Sequence, residues 1–306
     1  MNALLPVHAP ASPWPARWLG AAVLAATAAA VGSAVLRRPR DGATAADTAG
    51  RACAHGIRRS AALLAGSVLA DSLVEHYRGA FENPGMFAPL GVSALVVAAD
   101  TGDIWPGREL AHAAAVATGT AGVGFHLYNV TRRIGGVGWL NLFYGAPVGA
   151  PAALALAGLL GFAAGWVERA PNGTLVEQPA ERVLAGLVAS GIMGTVGEAA
   201  LLHFRGAFHN PVMWAPVTVP PLAAIALTAA ALSDRAGPAR ALLVLTALLG
   251  VGGAGFHVYG VGRHMGGWRN WSQNLLDGPP IPAPPAFTAL ALAGLSTLRL
   301  IEARRG

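Results

Sequence analysis

Four histidines occupy two pairs of matching positions in this sequence. His76 and His203 open two copies of one stretch, His-x-Arg-Gly-Ala-Phe-x-Asn-Pro-x-Met-x-Ala-Pro, ending at Pro89 and Pro216. His126 and His257 sit in two copies of Gly-Phe-His-x-Tyr, followed by Arg132 and Arg263 and then by glycine pairs. Imidazole is the commonest metal ligand and a proton relay. Ionisable groups inside membrane spans are costly and mark functional sites. Divergence between two copies should erase idle histidines, so His76, His126, His203 and His257 are read as ligands of a metal or haem. An interfacial side chain with no ligand is the plain alternative.

Glycines lie on the same faces. Gly119 and Gly122 precede His126 by two turns and one turn, and Gly250 and Gly253 precede His257 by the same offsets. Positions so spaced share a helix face. The spacing predicts a bare groove below each histidine, wide enough for a flat macrocycle such as haem b. Close helix packing through small residues would leave the same pattern.

Asp71 and Glu198 stand five residues before His76 and His203, and Glu75 occurs in the first copy alone. Five residues leave two side chains about 140° apart on a helix. One helix therefore cannot aim both at one metal, which counts against a di-iron centre of the Glu-x-x-His kind. Asp71, Glu75 and Glu198 are read instead as proton acceptors, or as partners that orient a histidine of another helix. A helix-to-helix hydrogen bond is the structural alternative. Arg78 and Arg205, with Arg132 and Arg263, can hold haem propionates, a quinone head group or an anionic substrate, because a guanidinium fork suits carboxylates. Snorkelling to lipid phosphates is the bland reading. Asn83-Pro84 and Asn210-Pro211 cap and start helices. Pro89 and Pro216 fall inside the helices just begun and should free a carbonyl near the site. Met86 and Met213 are read as packing residues.

These residues need helices to position them, and the composition supplies helices of one kind. The 306 residues are 54% hydrophobic and 12% charged, with mean hydropathy +0.50. A soluble domain carries about 25% charged residues. Long apolar runs between short polar loops specify a polytopic membrane helix bundle, all-α. The net charge of +6 is entirely arginine. Those arginines flank apolar runs, so nucleic acid is not an expected partner and the lipid bilayer is. The single Cys53 excludes an intrachain disulfide and a cysteine metal cluster, and is read as an inert thiol in a polar loop.

The recurring stretches make up an internal repeat of about half the chain. One apolar segment at Trp18–Leu36 comes first, then a basic linker to Arg59, giving an N-terminal unit of residues 1–59. The first four-helix unit is 60–180 and the second 181–306. That makes about nine spans, with two parallel repeats, since an even number of spans brings both copies in from the same side. Two thirds of the 21 arginines flank one face, which places that face in the cytoplasm. The expected location is the inner (plasma) membrane, with the N-terminus outside, the C-terminus inside and the four histidines near the outer face. The expected function is that of an integral membrane redox protein. His-bound haem or metal would exchange electrons with quinol, or with a periplasmic or membrane-associated redox subunit. A haem-free quinone-binding anchor for a dehydrogenase and a small-molecule or ion transporter are the alternatives.

Overall fold

The computed structural model describes residues 45–102, 107–169, 180–233 and 237–303. Every regular element among them is helical. The long helices are α1 (Ala45–Arg78), α2 (Ala88–Thr101), α3 (Arg108–Thr131), α5 (Gly149–Arg169), α6 (Ala180–Arg205), α7 (Ala215–Ser233), α8 (Ala239–Arg263) and α10 (Pro285–Ala303). Two short helices, α4 (Trp139–Phe143) and α9 (Trp271–Asp277), precede α5 and α10. Single 3-10 turns, Pro84–Phe87 and Pro211–Trp214, lead into α2 and α7.

Six segments are long and apolar enough to cross a membrane: Pro84–Thr101, Gly149–Arg169, Ala180–Arg205, Pro211–Ser233, Ala239–Arg263 and Pro285–Ala303. The chain is thus built as a multi-pass membrane protein in contact with lipid. α1 and α3 are long but less apolar: carboxylates break the run in α1, and histidines, threonines and glycines dilute it in α3. The span expected at Trp18–Leu36 lies outside the described residues.

One boundary differs from the sequence reading. The basic linker was expected to run to Arg59, yet α1 begins at Ala45 and is 34 residues long. Cys53, Ala54, Ile57, Ala61 and Leu64 recur at helical spacing and are buried in the core, so packing extends the helix through the basic stretch. Cys53 is therefore a core residue of a helix, not a loop thiol.

α10 is the centre of the molecule, with 83% of its apolar window buried. It contacts α1, α6, α7 and α8. Its small residues permit this. Gly56 of α1 faces Ser296 of α10, and a Cβ at Gly56 would meet Ser296 Cβ at 2.8 Å. In lipid, close approach through small residues replaces the hydrophobic drive. The polar side chains of α10 are satisfied: Thr288 Oγ1 donates to Ala247 O at 2.8 Å, and Ser296 Oγ to Leu292 O at 2.8 Å. α5 packs as closely on α3, where a Cβ at Gly158 would lie 2.5 Å from His112 O. The α5–α6 seam is much sparser than the α1–α10 seam, which leaves a cleft between α5 and α6.

Candidate functional site

The two copies of the long motif fold alike. Helix α1 ends in a turn where Ala80 and Phe81 take φ of 52° and 49°, and after α6 Ala207 and Phe208 take 53° and 46°. Left-handed backbone is strained for residues with a Cβ. Ring stacking holds it in place: Phe81 stacks on Phe87 at 4.4 Å, and Phe208 on Trp214 at 4.1 Å. Asn83 then caps the 3-10 turn by accepting from Gly85 N at 2.8 Å, and Asn210 does so from Val212 N at 3.0 Å. Gly79 and Gly206 leave room for the methionines: a Cβ there would lie 3.0 Å and 3.1 Å from the terminal methyls of Met86 and Met213. The methionine methyls pack against these two glycines.

Each of the four histidines reaches forward to the start of the next long helix. His76 Nδ1 donates to Met86 O at 2.6 Å, and His203 Nδ1 to Met213 O at 2.8 Å. His126 Nδ1 donates to Pro147 O, and His257 Nδ1 to Pro280 O at 2.6 Å. Proline explains the choice of carbonyl. The residue three beyond Met86 is Pro89 and three beyond Met213 is Pro216. Four beyond Pro147 and Pro280 stand Pro151 and Pro284. Proline has no N–H, so each carbonyl lacks one of its helical donors, and an imidazole supplies it. A carbonyl oxygen only accepts, so Nδ1 carries the hydrogen and the neutral ring presents a bare Nε2 lone pair.

All four histidines line one cavity of about 2640 Å³. Asp71, Glu75, Arg78, Arg205, Arg263 and Glu198 also line it. It continues along α5 and α6 past Leu156, Leu159, Leu187 and Gly191 to mid-helix. The histidines, Asp71 and Glu198 are half-buried. Asp71 lies within electrostatic reach of Glu75, Glu198 and Arg78, and Glu198 accepts from the Gly149 backbone N–H. His203 and His257, from α6 and α8, are also in electrostatic contact.

The arginines take unlike partners. Arg78 pairs with Glu75 one turn back. Arg205 lies over Phe143 and Tyr144, 5.1 Å and 5.6 Å from their ring centres. Arg132 and Arg263 each stack on the tyrosine one turn earlier, Tyr128 at 5.9 Å and Tyr259 at 5.7 Å. These are cation–π distances. Arg78, Arg205 and Arg263 still border the cavity; Arg132 does not.

The glycine groove requires a correction. A Cβ at Gly119 would meet Pro151 O at 2.6 Å, and one at Gly250 would meet Pro284 O at 2.8 Å. The first turns of α5 and α10 therefore fill the deep ends of both grooves, and no macrocycle fits there. Gly122 and Gly253 border the cavity, with Pro151 and Pro284 Cβ atoms 2.8 Å and 2.9 Å from an added Cβ. Among the described residues no group of three or more His, Cys, Asp or Glu could hold a bare metal ion.

Two residues were missed. Asn141 Nδ2 donates to Ile134 O at 3.0 Å and Gly136 O at 2.8 Å, and Asn274 Nδ2 to Met265 O at 3.2 Å and Gly267 O at 2.8 Å. These amides hold the loops after α3 and α8. Aligning the nearby tryptophans hides the match by one residue. Searches of protein-family models, of curated proteins and of solved structures each return no match.

Proposed function

We propose that this chain is a multi-pass membrane redox protein whose cleft binds a lipophilic quinol or quinone at one end of the bundle. One observation carries the reading. Four carbonyl-anchored imidazoles and two carboxylates line the polar end of a cavity whose apolar remainder runs along α5 and α6. A head-and-tail ligand suits that division, with the ring among the histidines and the tail along Leu156, Leu159 and Leu187. Oxidation of a quinol releases two electrons and two protons. A bare Nε2 accepts a hydroxyl proton, and Asp71 and Glu198 accept it next. The electrons pass to a redox subunit or to haem.

Haem bound in the same cavity is the second reading. An Nδ1–H donated to a backbone carbonyl is the arrangement that fixes the tautomer of a ligating histidine. It would use Nε2 of one or two of the four imidazoles, with Arg78, Arg205 or Arg263 at its propionates. An absorption spectrum and a quinone assay of protein purified from its native membrane separate the two: a Soret band for haem, extractable quinone without one for the first reading.

We further read the eight long helices and Trp18–Leu36 as nine spans in two parallel repeats, with the histidine end outside, the N-terminus outside and the C-terminus in the cytoplasm. The matched turns, caps and histidine bonds support the repeat, and the arginine asymmetry supports the orientation.

A further inference from the structure

The end of the bundle opposite the histidine cavity carries a buried polar cluster where α2, α3 and α5 of the first half meet. His112 Nε2 lies 3.1 Å from both carboxylate oxygens of Asp100. The two side chains are 2% and 0% exposed. Arg108 Nε stands 3.9 Å from the same carboxylate and donates to Ala99 O at 2.8 Å. Arg58 pairs with Glu168 beside them. The imidazole seats against Gly161, where a Cβ would lie 2.5 Å from its Cε1, and edge-on to Phe162 at 5.8 Å.

The sequence repeat supplies the control. Counted from the matched histidines and prolines, Arg58, Asp100, Arg108, His112 and Glu168 fall opposite Ala185, Leu227, Ala239, Leu243 and Ile301. All five of those are fully buried core residues. Gly161 falls opposite Gly294, and a Cβ there would meet Leu243 Cδ2 at 2.6 Å and Leu227 Cδ2 at 3.4 Å. The leucine pair therefore occupies in one half the place that Asp100 and His112 occupy in the other. Replacing a buried ion pair by apolar side chains is often neutral or stabilising. The same packing is reached without charge, so the fold does not call for the polar pair. Further along the same face of α2, Ser93 Oγ is buried with no hydrogen-bond partner among the described residues.

We propose that Asp100 and His112 form a proton-binding site at this end of the first half. The Nε2 hydrogen is donated to the Asp100 carboxylate, which leaves Nδ1 as the basic atom. Uptake adds one proton from water to Nδ1 and converts the neutral ring to imidazolium beside aspartate; release reverses this. The other charged or titratable groups gathered here are Arg58 and His55 from α1, Arg108 and Glu109 from α3, and Glu168 and Arg169 from α5. Their pairing as Arg58–Glu168 and Arg169–Glu109 leaves Arg108 as the cation nearest the site.

The test is nitrogen-15 histidine NMR of the full chain in detergent from about pH 5 to about pH 9, the range in which histidines titrate. The His112 signal is assigned by its loss in His112→Gln. The expected result is a His112 ring that gains a proton within the window, with proton affinity at least tenfold weaker in Asp100→Asn. A ring that keeps one charge state throughout, or titrates identically in Asp100→Asn, overturns the proposal. The swap Asp100→Leu with His112→Leu is expected to keep wild-type helix content and melting temperature. A melting temperature lowered as far as by His112→Ala alone would assign the pair to the fold and overturn the proposal.

Discussion

His203 donates its Nδ1 hydrogen to the carbonyl oxygen of Met213, and Pro216, three residues on, has no N–H to offer that oxygen. The histidine thus stands in for a missing backbone donor at the start of α7. The bond and the proline should be energetically coupled. His203→Ala is expected to cost about 1 kcal/mol, the usual net worth of such a bond. With Pro216→Ala in the background an N–H returns, and the loss should shrink by half or more. A double-mutant cycle on thermal unfolding measures it. Equal losses in both backgrounds would uncouple the two residues.

Close packing leads to the second expectation. Gly119→Leu and Gly250→Leu should abolish folded protein, because their side chains would enter the backbone of α5 and α10. Gly122→Ala meets only the Pro151 ring and should cost about 1–3 kcal/mol, the range for overpacking. Gly194, which lines the cleft with open space around its Cβ position, should accept a large side chain with no loss of stability. Size-exclusion recovery after heating checks all four. Tolerance of Gly119→Leu would reopen the groove to a ligand.

Much of this was legible in the sequence, and the rest was hidden for physical reasons. The long motif displayed its histidine, its Asn-Pro cap and its methionine because each has a fixed local job that both copies need. The pattern also announced a freed carbonyl near Pro89 and near Pro216, which the structure places at Met86 and Met213. What it did not show is which side chain meets them, since that depends on how the turn folds back. The glycines marked close approach, but spacing cannot distinguish an approaching helix from an approaching cofactor. Asp100 and His112 have no counterparts of the same type in the second copy, so the repeat does not single them out. Only the contacts across α2, α3 and α5, set beside those across α7, α8 and α10, reveal that Leu227 and Leu243 fill the same place.

Topology gives a third expectation. Cys53 is the one cysteine in the sequence and is fully buried, so engineered cysteines can be labelled without background. Val137→Cys, before α4, should react with a membrane-impermeant maleimide in intact cells. Ser233→Cys, at the far end of α7, should react only after the membrane is opened. The reverse pattern would invert the orientation and move the histidine cavity to the cytoplasmic side.

The acids give a fourth. Glu198→Gln and Asp71→Asn should slow quinol oxidation tenfold or more while leaving quinone affinity within threefold, because they act on the proton and not on the ring. Steady-state kinetics separate the two effects. A change in affinity alone would make both residues part of the binding wall.

Ligand binding in the cleft is tested most directly by titrating the purified chain with a short-chain benzoquinone and following tryptophan fluorescence, for wild type and Gly194→Trp. Saturable binding of about one quinone per chain to wild type is expected, weakened tenfold or more when the indole fills the cleft between α5 and α6. No saturable binding to wild type, or equal binding to both proteins, would contradict a quinone site in this cavity.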